Sequence, residues 1–194
     1  MDGIQNQSGK CIIFSAPSGA GKTTIVRALL ERIDQLAFSI SACSREPRPN
    51  EVDEIDYYFL GVEGFKKEIE NDAFIEWEEV YKDHFYGTLK REVQRLWNQN
   101  KVVVFDVDVY GGINLKNYFG DNALSFFVEP PSIEVLEERL RNRQTETEDK
   151  IQTRLQKAEE ELEKSKMFDI TIVNNNLELT IDEVEGYVKE YLKS

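Results

Sequence analysis

Apolar runs of strand length punctuate the chain: Cys11-Ile12-Ile13-Phe14, Val102-Val103-Val104-Phe105, Leu124-Ser125-Phe126-Phe127-Val128 and Ile170-Thr171-Ile172-Val173. Runs with no polar alternation are what strands covered on both faces look like, so the second should lie centrally in a parallel sheet. Phe38-Ser39-Ile40-Ser41 alternates and reads as a further strand. Between the runs, apolar residues fall at helical spacing. Val26, Leu29, Leu30 and Ile33 give a first helix its buried stripe, and residues 90–100 form another. A helix from Ser132 through Val135, Leu136 and Leu140 ends near Arg143, and the capping box Thr145-x-x-Glu148 opens a charged helix reaching about Lys164. Thr180-x-x-Glu183 opens a terminal helix. Strands alternating with helices predict an α/β fold of three layers around a central parallel sheet.

The pattern changes between residues 41 and 89. Pro47 and Pro49 break residues 42–51, which read as a polar loop and not a regular element. Aromatic-rich strands follow at residues 56–59, 74–80 and 85–88, with a helix over 62–71 among them. This predicts a small mixed α+β lobe inserted into the α/β body. The body then comprises about residues 9–40, 90–135 and 168–194, the lobe about 41–89, and a helical pair about 136–167. There is no internal repeat and no low-complexity segment.

At 194 residues and 40% hydrophobic, the chain is long enough for one well-packed domain. Its formal charge of −13 argues against a nucleic-acid surface, which needs a basic field. An anionic ligand must therefore be met by a local cluster of cations. Cys11 and Cys43 show neither metal spacing nor a disulfide framework, which fits a reducing cytoplasm. The polar opening predicts no signal peptide, and no run approaches membrane-spanning length. The single histidine, His84, sits in Lys82-Asp83-His84, a hairpin turn at the surface.

The candidate chemistry begins at Ala16-Pro17-Ser18-Gly19-Ala20-Gly21-Lys22-Thr23-Thr24, between the first strand and the first helix. Small residues there let successive backbone N–H groups turn inward around a phosphate, and the helix N-terminus adds partial positive charge. Lys22 would reach the outer phosphates and the Thr23 hydroxyl would ligate Mg²⁺. The pattern G-x-x-x-x-G-K-[ST] is met except at Ala16, where one methyl group replaces the first Gly without removing an N–H donor. Asp106, leaving the strand 102–105 at its carboxyl end, can reach the same Mg²⁺ through a water, whereas a carboxylate there or at Asp108 can equally cap the following turn. Arg45 and Arg48 stand three apart in an otherwise acidic chain and offer the planar fork that suits phosphate. The arginines of the helical pair, Arg139, Arg141, Arg143 and Arg154, suit a lid that brings positive charge over a nucleotide; Arg141 is expected to face water. A phosphate loop alone does not choose among switch GTPase, ATPase and kinase, although Asn100-Lys101-Val102-Val103 lacks the acid of a GTPase guanine reader.

Taken as an ordered set, residues 41–59, Phe74-Ile75-Glu76-Trp77, Phe85-Tyr86-Gly87-Thr88, Asp106-Val107-Asp108 and Pro130-Pro131-Ser132 with Arg139-Leu140-Arg141-x-Arg143 resemble guanylate kinases from about Gly9 onward. The resemblance implies an ATP:GMP phosphotransferase with a phosphate-loop core, a GMP-binding lobe and a lid, using Mg²⁺. It places Arg45, Arg48, Tyr57 and Tyr86 on the GMP phosphate and Ser41, Glu76, Thr88 and Asp108 at guanine. It places Arg143 and Arg154 on the transferring phosphates, with Arg139 as a further candidate, and Asn174 near adenine. Monomer and homo-oligomer stay open. Departures from the family pattern are Ala16, Cys43, Ser44, Asn50 (where Gly is usual and a left-handed turn is tolerated) and Tyr110. The alternatives are a guanylate-kinase-like binding module without activity, against which Lys22, Thr23 and the arginines stand, and a same-fold kinase for another phosphorylated acceptor.

Guanine presents N1–H and its 2-amino group as donors, so a carboxylate at Glu76 can take both while hydroxyls of Ser41 and Thr88 serve O6 or N7. The GMP phosphate, with a second pKa of about 6, is already mostly deprotonated at pH 7 and needs no base. Catalysis is therefore expected to rest on charge and position, with no Ser, Cys or His nucleophile.

Overall fold

The computed structural model describes residues 9–142 and 148–194. In chain order the elements are β1 (Cys11–Ser15), α1 (Lys22–Arg32), β2 (Leu36–Phe38), β3 (Ala42–Cys43), β4 (Tyr58–Phe59), α2 (Gly61–Glu70), β5 (Phe74–Tyr81), β6 (His84–Leu89), α3 (Lys90–Asn98), β7 (Val102–Asp106), α4 (Val109–Phe119), β8 (Ala123–Glu129), α5 (Ile133–Asn142), α6 (Glu148–Leu162), β9 (Ile170–Val173) and α7 (Leu177–Lys193).

The larger sheet is parallel throughout, in the order β2-β7-β1-β8-β9. β1 is its middle strand and β7 lies beside it, with Ile12 in register with Val104 on one side and Leu124 on the other. Every residue of β1 is buried, because the two-residue period of a strand sends alternate side chains into two separate cores. Ile12, Phe14, Val104 and Phe126 pack with Val26 and Leu29 of α1 and with Val184 and Val188 of α7. Cys11, Ile13, Val103 and Phe105 pack on the other face with Val93 and Leu96 of α3 and Leu115 and Phe119 of α4. This is the three-layer α/β fold that the hydrophobic runs predict.

The smaller sheet has the order β4-β3-β6-β5 and is mixed: β3 pairs parallel with β4 and antiparallel with β6, which pairs antiparallel with β5. Phe65 of α2 stacks on Phe74 and Phe85, ring centroids 4.4 and 5.4 Å away, and closes its apolar face. α5 and α6 pack on each other through Leu136, Leu140, Ile151, Leu155 and Ala158. Among the described residues no helix is long and apolar enough to cross a membrane.

Several boundaries differ from the pattern reading. The strand expected over 38–41 is β2, which ends at Phe38: Ser39 N–H donates to the Val104 carbonyl at 2.9 Å, and the chain then leaves for the smaller sheet, where the Ser41 carbonyl accepts from Tyr58 N–H at 2.9 Å. The segment read wholly as loop from residue 42 begins with β3, a strand too short for its alternation to show. Asn50 is not among the non-glycine residues with positive φ, so no left-handed turn is made there. The last helix opens at Leu177, capped by the Asn176 side chain accepting from Leu179 N–H, and Thr180 is buried inside it. α4 gave no pattern signal because Gly111 and Gly112 interrupt its apolar stripe; a Cβ on Gly112 would stand 2.1 Å from Ser15 Oγ, so the helix approaches β1 more closely than any side chain permits. Thr145 of the expected capping box lies outside the described residues.

Candidate active site

The carboxyl ends of β1 and β7 point to one side of the larger sheet, and the loop between β1 and α1 curls over them. Gly19 and Gly21 have φ of 98° and 99°, conformations that side chains resist, and Gly21 is the residue from which α1 starts. Ala16 is buried without positive φ, so the methyl group standing where the pattern has Gly meets no backbone conflict. The loop is braced from behind. The Ala20 carbonyl accepts from Asn174 Nδ2 at 2.7 Å and from Arg139 Nη1 at 3.3 Å, and Arg139 Nη2 donates to the Asn174 carbonyl at 3.0 Å.

In front of the loop lies a cleft of about 1030 Å³, lined by residues 16–19 and 21–24, by Asp106, Val107 and Asp108, and by Arg48 and Val80. Its remaining wall is α6, through Lys150, Thr153, Arg154, Lys157 and Glu161. Arg154 Nη1 donates to Ser18 Oγ at 2.7 Å, so α6 reaches across to the loop. At the cleft floor the Asp106 carboxylate takes both functional side chains of the first helical turn: Lys22 Nζ donates to Oδ1, and Thr23 Oγ1 donates to Oδ2 at 2.7 Å. Burial pushes the Lys22 ammonium down to about 8, opposed by the charges of Asp108 and Glu161.

A second cavity of about 230 Å³ opens beside the first, with Asp106, Val107, Asp108 and Val80 lining both. Ser41, Tyr57, Glu76, Glu78, Tyr86, Gly87 and Gly111 complete its wall. Glu76 on β5 stands opposite Thr88 on β6, and Thr88 Oγ1, 1% exposed as a residue, donates to Glu76 Oε1 at 2.7 Å. Desolvation holds the Glu76 carboxyl up at about 7 despite that hydrogen bond, with the charge of Asp108 adding to the rise. Asp108 caps α4 by accepting from Gly111 N–H at 2.8 Å, the capping role open to it from sequence, while still facing the cavity.

Behind the Tyr57 and Tyr86 wall of this cavity is a guanidinium held from several sides. Arg45 makes a two-pronged ion pair with Glu51, at 2.5 and 2.8 Å, and its Nε donates to the Tyr86 hydroxyl at 3.2 Å. The guanidinium lies over the Tyr57 and Phe59 rings at 4.9 and 5.4 Å. Arg48 is not gathered in the same way: its side chain is 74% exposed and lines the larger cleft.

The cradle, the half-buried cation of Lys22 and the two adjoining cavities are surroundings that suit two phosphorylated ligands. The family model described as "Guanylate kinase" matches residues 8–191. The chain is 50% identical over 189 residues to the guanylate kinase of Bacteroides thetaiotaomicron, covering 97% of this chain and 93% of that protein. It is 46% identical over 184 residues to that of Porphyromonas gingivalis, covering 94% and 98%. The crystal structure of guanylate kinase from Anaplasma phagocytophilum superposes with a TM-score of 0.73 at 26% identity, covering 94% of this chain and 85% of that one.

The chain belongs to the guanylate kinase family.

Against the guanylate kinase resemblance, the structure gathers Ser41, Tyr57, Glu76, Tyr86 and Asp108 around one cavity, with Thr88 and Arg45 bonded directly to members of that wall. Lys22, Thr23 and Asp106 meet at the floor of the other. Ala20, Arg139 and Asn174 do not line the cleft; they form the brace behind the loop. Arg143 lies outside the described residues. His84 is exposed at the β5–β6 turn, and Arg141 is exposed in ion pairs with Glu137 and Glu148. Sequence reasoning missed Glu51, Glu78, Lys157 and Glu161. Glu78 carried a signal, since it falls two residues beyond Glu76 on an alternating strand; the others come from elements that only folding brings to the site.

Proposed function

We propose that the chain transfers the γ-phosphoryl group of ATP to GMP, giving ADP and GDP, with ATP in the cleft under the β1–α1 loop and GMP in the cavity between Glu76 and Arg45. The observation that carries this is the desolvated, Thr88-bonded carboxylate of Glu76 at one end of a small cavity, with the caged guanidinium of Arg45 behind its Tyr57 and Tyr86 wall. One end suits a base with adjacent donors, the other a phosphate. Adenine presents a lone pair at N1 and would set an acceptor against Glu76, and sites built on such hydrogen bonds reject analogues lacking them by roughly 10⁴ or more.

Backbone N–H groups of the loop, Pro17 having none and that of Ala20 donating to the Pro17 carbonyl, would hold the ATP phosphates, with Lys22 on the outer ones. The Thr23 hydroxyl and the Asp106 carboxylate present adjoining oxygen donors, the set that suits Mg²⁺ bound together with phosphates. Bound there, the ion would neutralise charge developing on the phosphoryl oxygens. The GMP phosphate attacks as it stands, mostly dianionic at pH 7, and Arg45, Arg48 and the lid cations Arg143 and Arg154 offset the repulsion between the two anions. The division into a core, a GMP-binding lobe over about 41–89 and a lid over about 136–167 follows from this assignment, as does a cytoplasmic setting. The acidic surface, −13 overall, supports action without nucleic acid.

A coupled assay of ADP release run across GMP, AMP, CMP and UMP tests the reading: turnover with GMP should exceed that with the others by at least about 10³. Lys22→Ala should lower kcat by more than about 10² with little change in the KM for GMP. No ADP release with GMP, or a pure KM effect of the lysine substitution, would contradict it.

A further inference from the structure

β5 places more than Glu76 in the smaller cavity. Side chains two apart on a strand share a face, and Glu76, Glu78 and Val80 all line it. The intervening Trp77 points the other way, its ring 6.1 Å from Phe85, and Glu79 accepts from Asp83 N–H at 2.8 Å. The register across to β6 is regular here, Glu76 opposite Thr88 and Glu78 opposite Tyr86.

Those pairings order the cavity along its length. Glu76 with Thr88 marks the base end; Arg45, two residues beyond the Cys43 that pairs with Tyr86, marks the phosphate end, so the level of Tyr86 lies between them. Glu78 stands opposite Tyr86 and about 6.8 Å along the strand from Glu76. In a mononucleotide the sugar joins base to phosphate, so a side chain between the groups that hold those two faces the sugar. Ribose offers donors at its 2′ and 3′ hydroxyls, and a carboxylate is an acceptor only. The groups facing Glu78 are Glu76 on its own strand, Asp108 from the β7–α4 junction and Lys157 from α6. Burial and the charge and hydrogen bond of Asp108 raise its carboxyl pKa, Lys157 opposes them, and the side chain is half-buried, so the ionised acceptor prevails above neutral pH.

We propose that Glu78 distinguishes ribonucleotide from deoxyribonucleotide acceptors, its carboxylate accepting hydrogen bonds from the sugar hydroxyls of GMP. The proposal rests on the reading of this cavity as the GMP subsite. A deoxy-nucleotide leaves Glu78 without that partner in a partly dehydrated site and is disfavoured for that reason.

The test compares kcat/KM for GMP, 2′-deoxy-GMP and 3′-deoxy-GMP in the unaltered chain, in Glu78→Ala and in Glu78→Thr, whose short β-branched side chain suits a strand but cannot reach the sugar. The unaltered chain should favour GMP over at least one deoxy-analogue by about tenfold or more, and both substitutions should bring that ratio to within about twofold of unity by slowing GMP. The ratio of GMP to AMP turnover should stay unchanged, since Glu76 still reads the base. An unaltered chain that does not discriminate between the sugars, or a folded Glu78 variant that keeps the full ratio, overturns the assignment. Absence of turnover with GMP in the unaltered chain would instead overturn the reading of the cavity.

Discussion

Glu76 shows how a residue proposed for recognition works against the fold that holds it. Its carboxyl titrates near 7 in place of 4.5, chiefly because it is desolvated. Between those two values the folded chain binds a proton that the unfolded chain has released, so this group's contribution to stability falls as pH rises through the window. Complete ionisation costs on the order of 3 kcal/mol. Glu76→Gln should therefore raise the melting temperature at pH 8 by at least about 2 °C, with the gain shrinking as pH falls below about 7 and nearly gone at the unfolded value of 4.5, as thermal melts across that range will show. The same substitution should lower kcat/KM for GMP at least tens-fold while leaving the KM for ATP nearly unchanged. If guanine needs the ionised form, kcat/KM for GMP in the unaltered chain should fall as pH drops below about 7, and a pH profile of the Glu76→Gln variant should keep only the fall at about pH 6 that the GMP phosphate itself brings.

At the scale of the element, the β1–α1 loop is an assembly of backbone conformations and only secondarily of side chains. Gly21 combines positive φ with a neighbour, Asn174 Nδ2, that would stand 2.3 Å from any Cβ, whereas Ala16 has neither constraint. Ala16→Gly should consequently leave kcat within about twofold and lower stability by about 0.4–1 kcal/mol, because Gly adds freedom only to the unfolded chain; urea titration beside the activity assay checks both. The loop was legible in the sequence because its chemistry is local: small residues, a lysine and a hydroxyl between a strand and a helix. Its brace was not. Arg139 and Asn174 meet the Ala20 carbonyl from α5 and from the end of β9, and no spacing rule connects elements so far apart in the chain.

For the whole molecule, the two sheets must keep a fixed relation if the cavities on either side of Asp106, Val107 and Asp108 are to bring two nucleotides into line. One buried acid ties them. Glu92 of α3, 1% exposed, accepts from Ile40 N–H at 3.3 Å on the passage from β2 to β3, and from the Tyr58 hydroxyl of β4 at 2.8 Å. Arg95 supplies the counter-charge through two bonds of 2.8 Å, and the carboxyl is held below its ordinary value by these bonds in spite of burial. Glu92→Ala strands an N–H and a hydroxyl and should cost about 2–4 kcal/mol, read as a lower urea midpoint. Because the freed segment leads into Ser41, KM for GMP should rise more than KM for ATP.

By itself the sequence determined what depends on short stretches: the strand runs, the helical stripes, the phosphate loop, and the aromatic-rich interruption that becomes the smaller sheet. Such features are written in periodicity and in local backbone preference, which neighbours along the chain settle among themselves. The tertiary structure alone decided which charges meet. It set Glu51 on Arg45, turned Asn174 behind the loop, and placed Glu78 beside Glu76 in the wall of one cavity. Electrostatic and hydrogen-bond partners are fixed by distance in space, and in an α/β fold those distances come from how distant strands are ordered in the sheet.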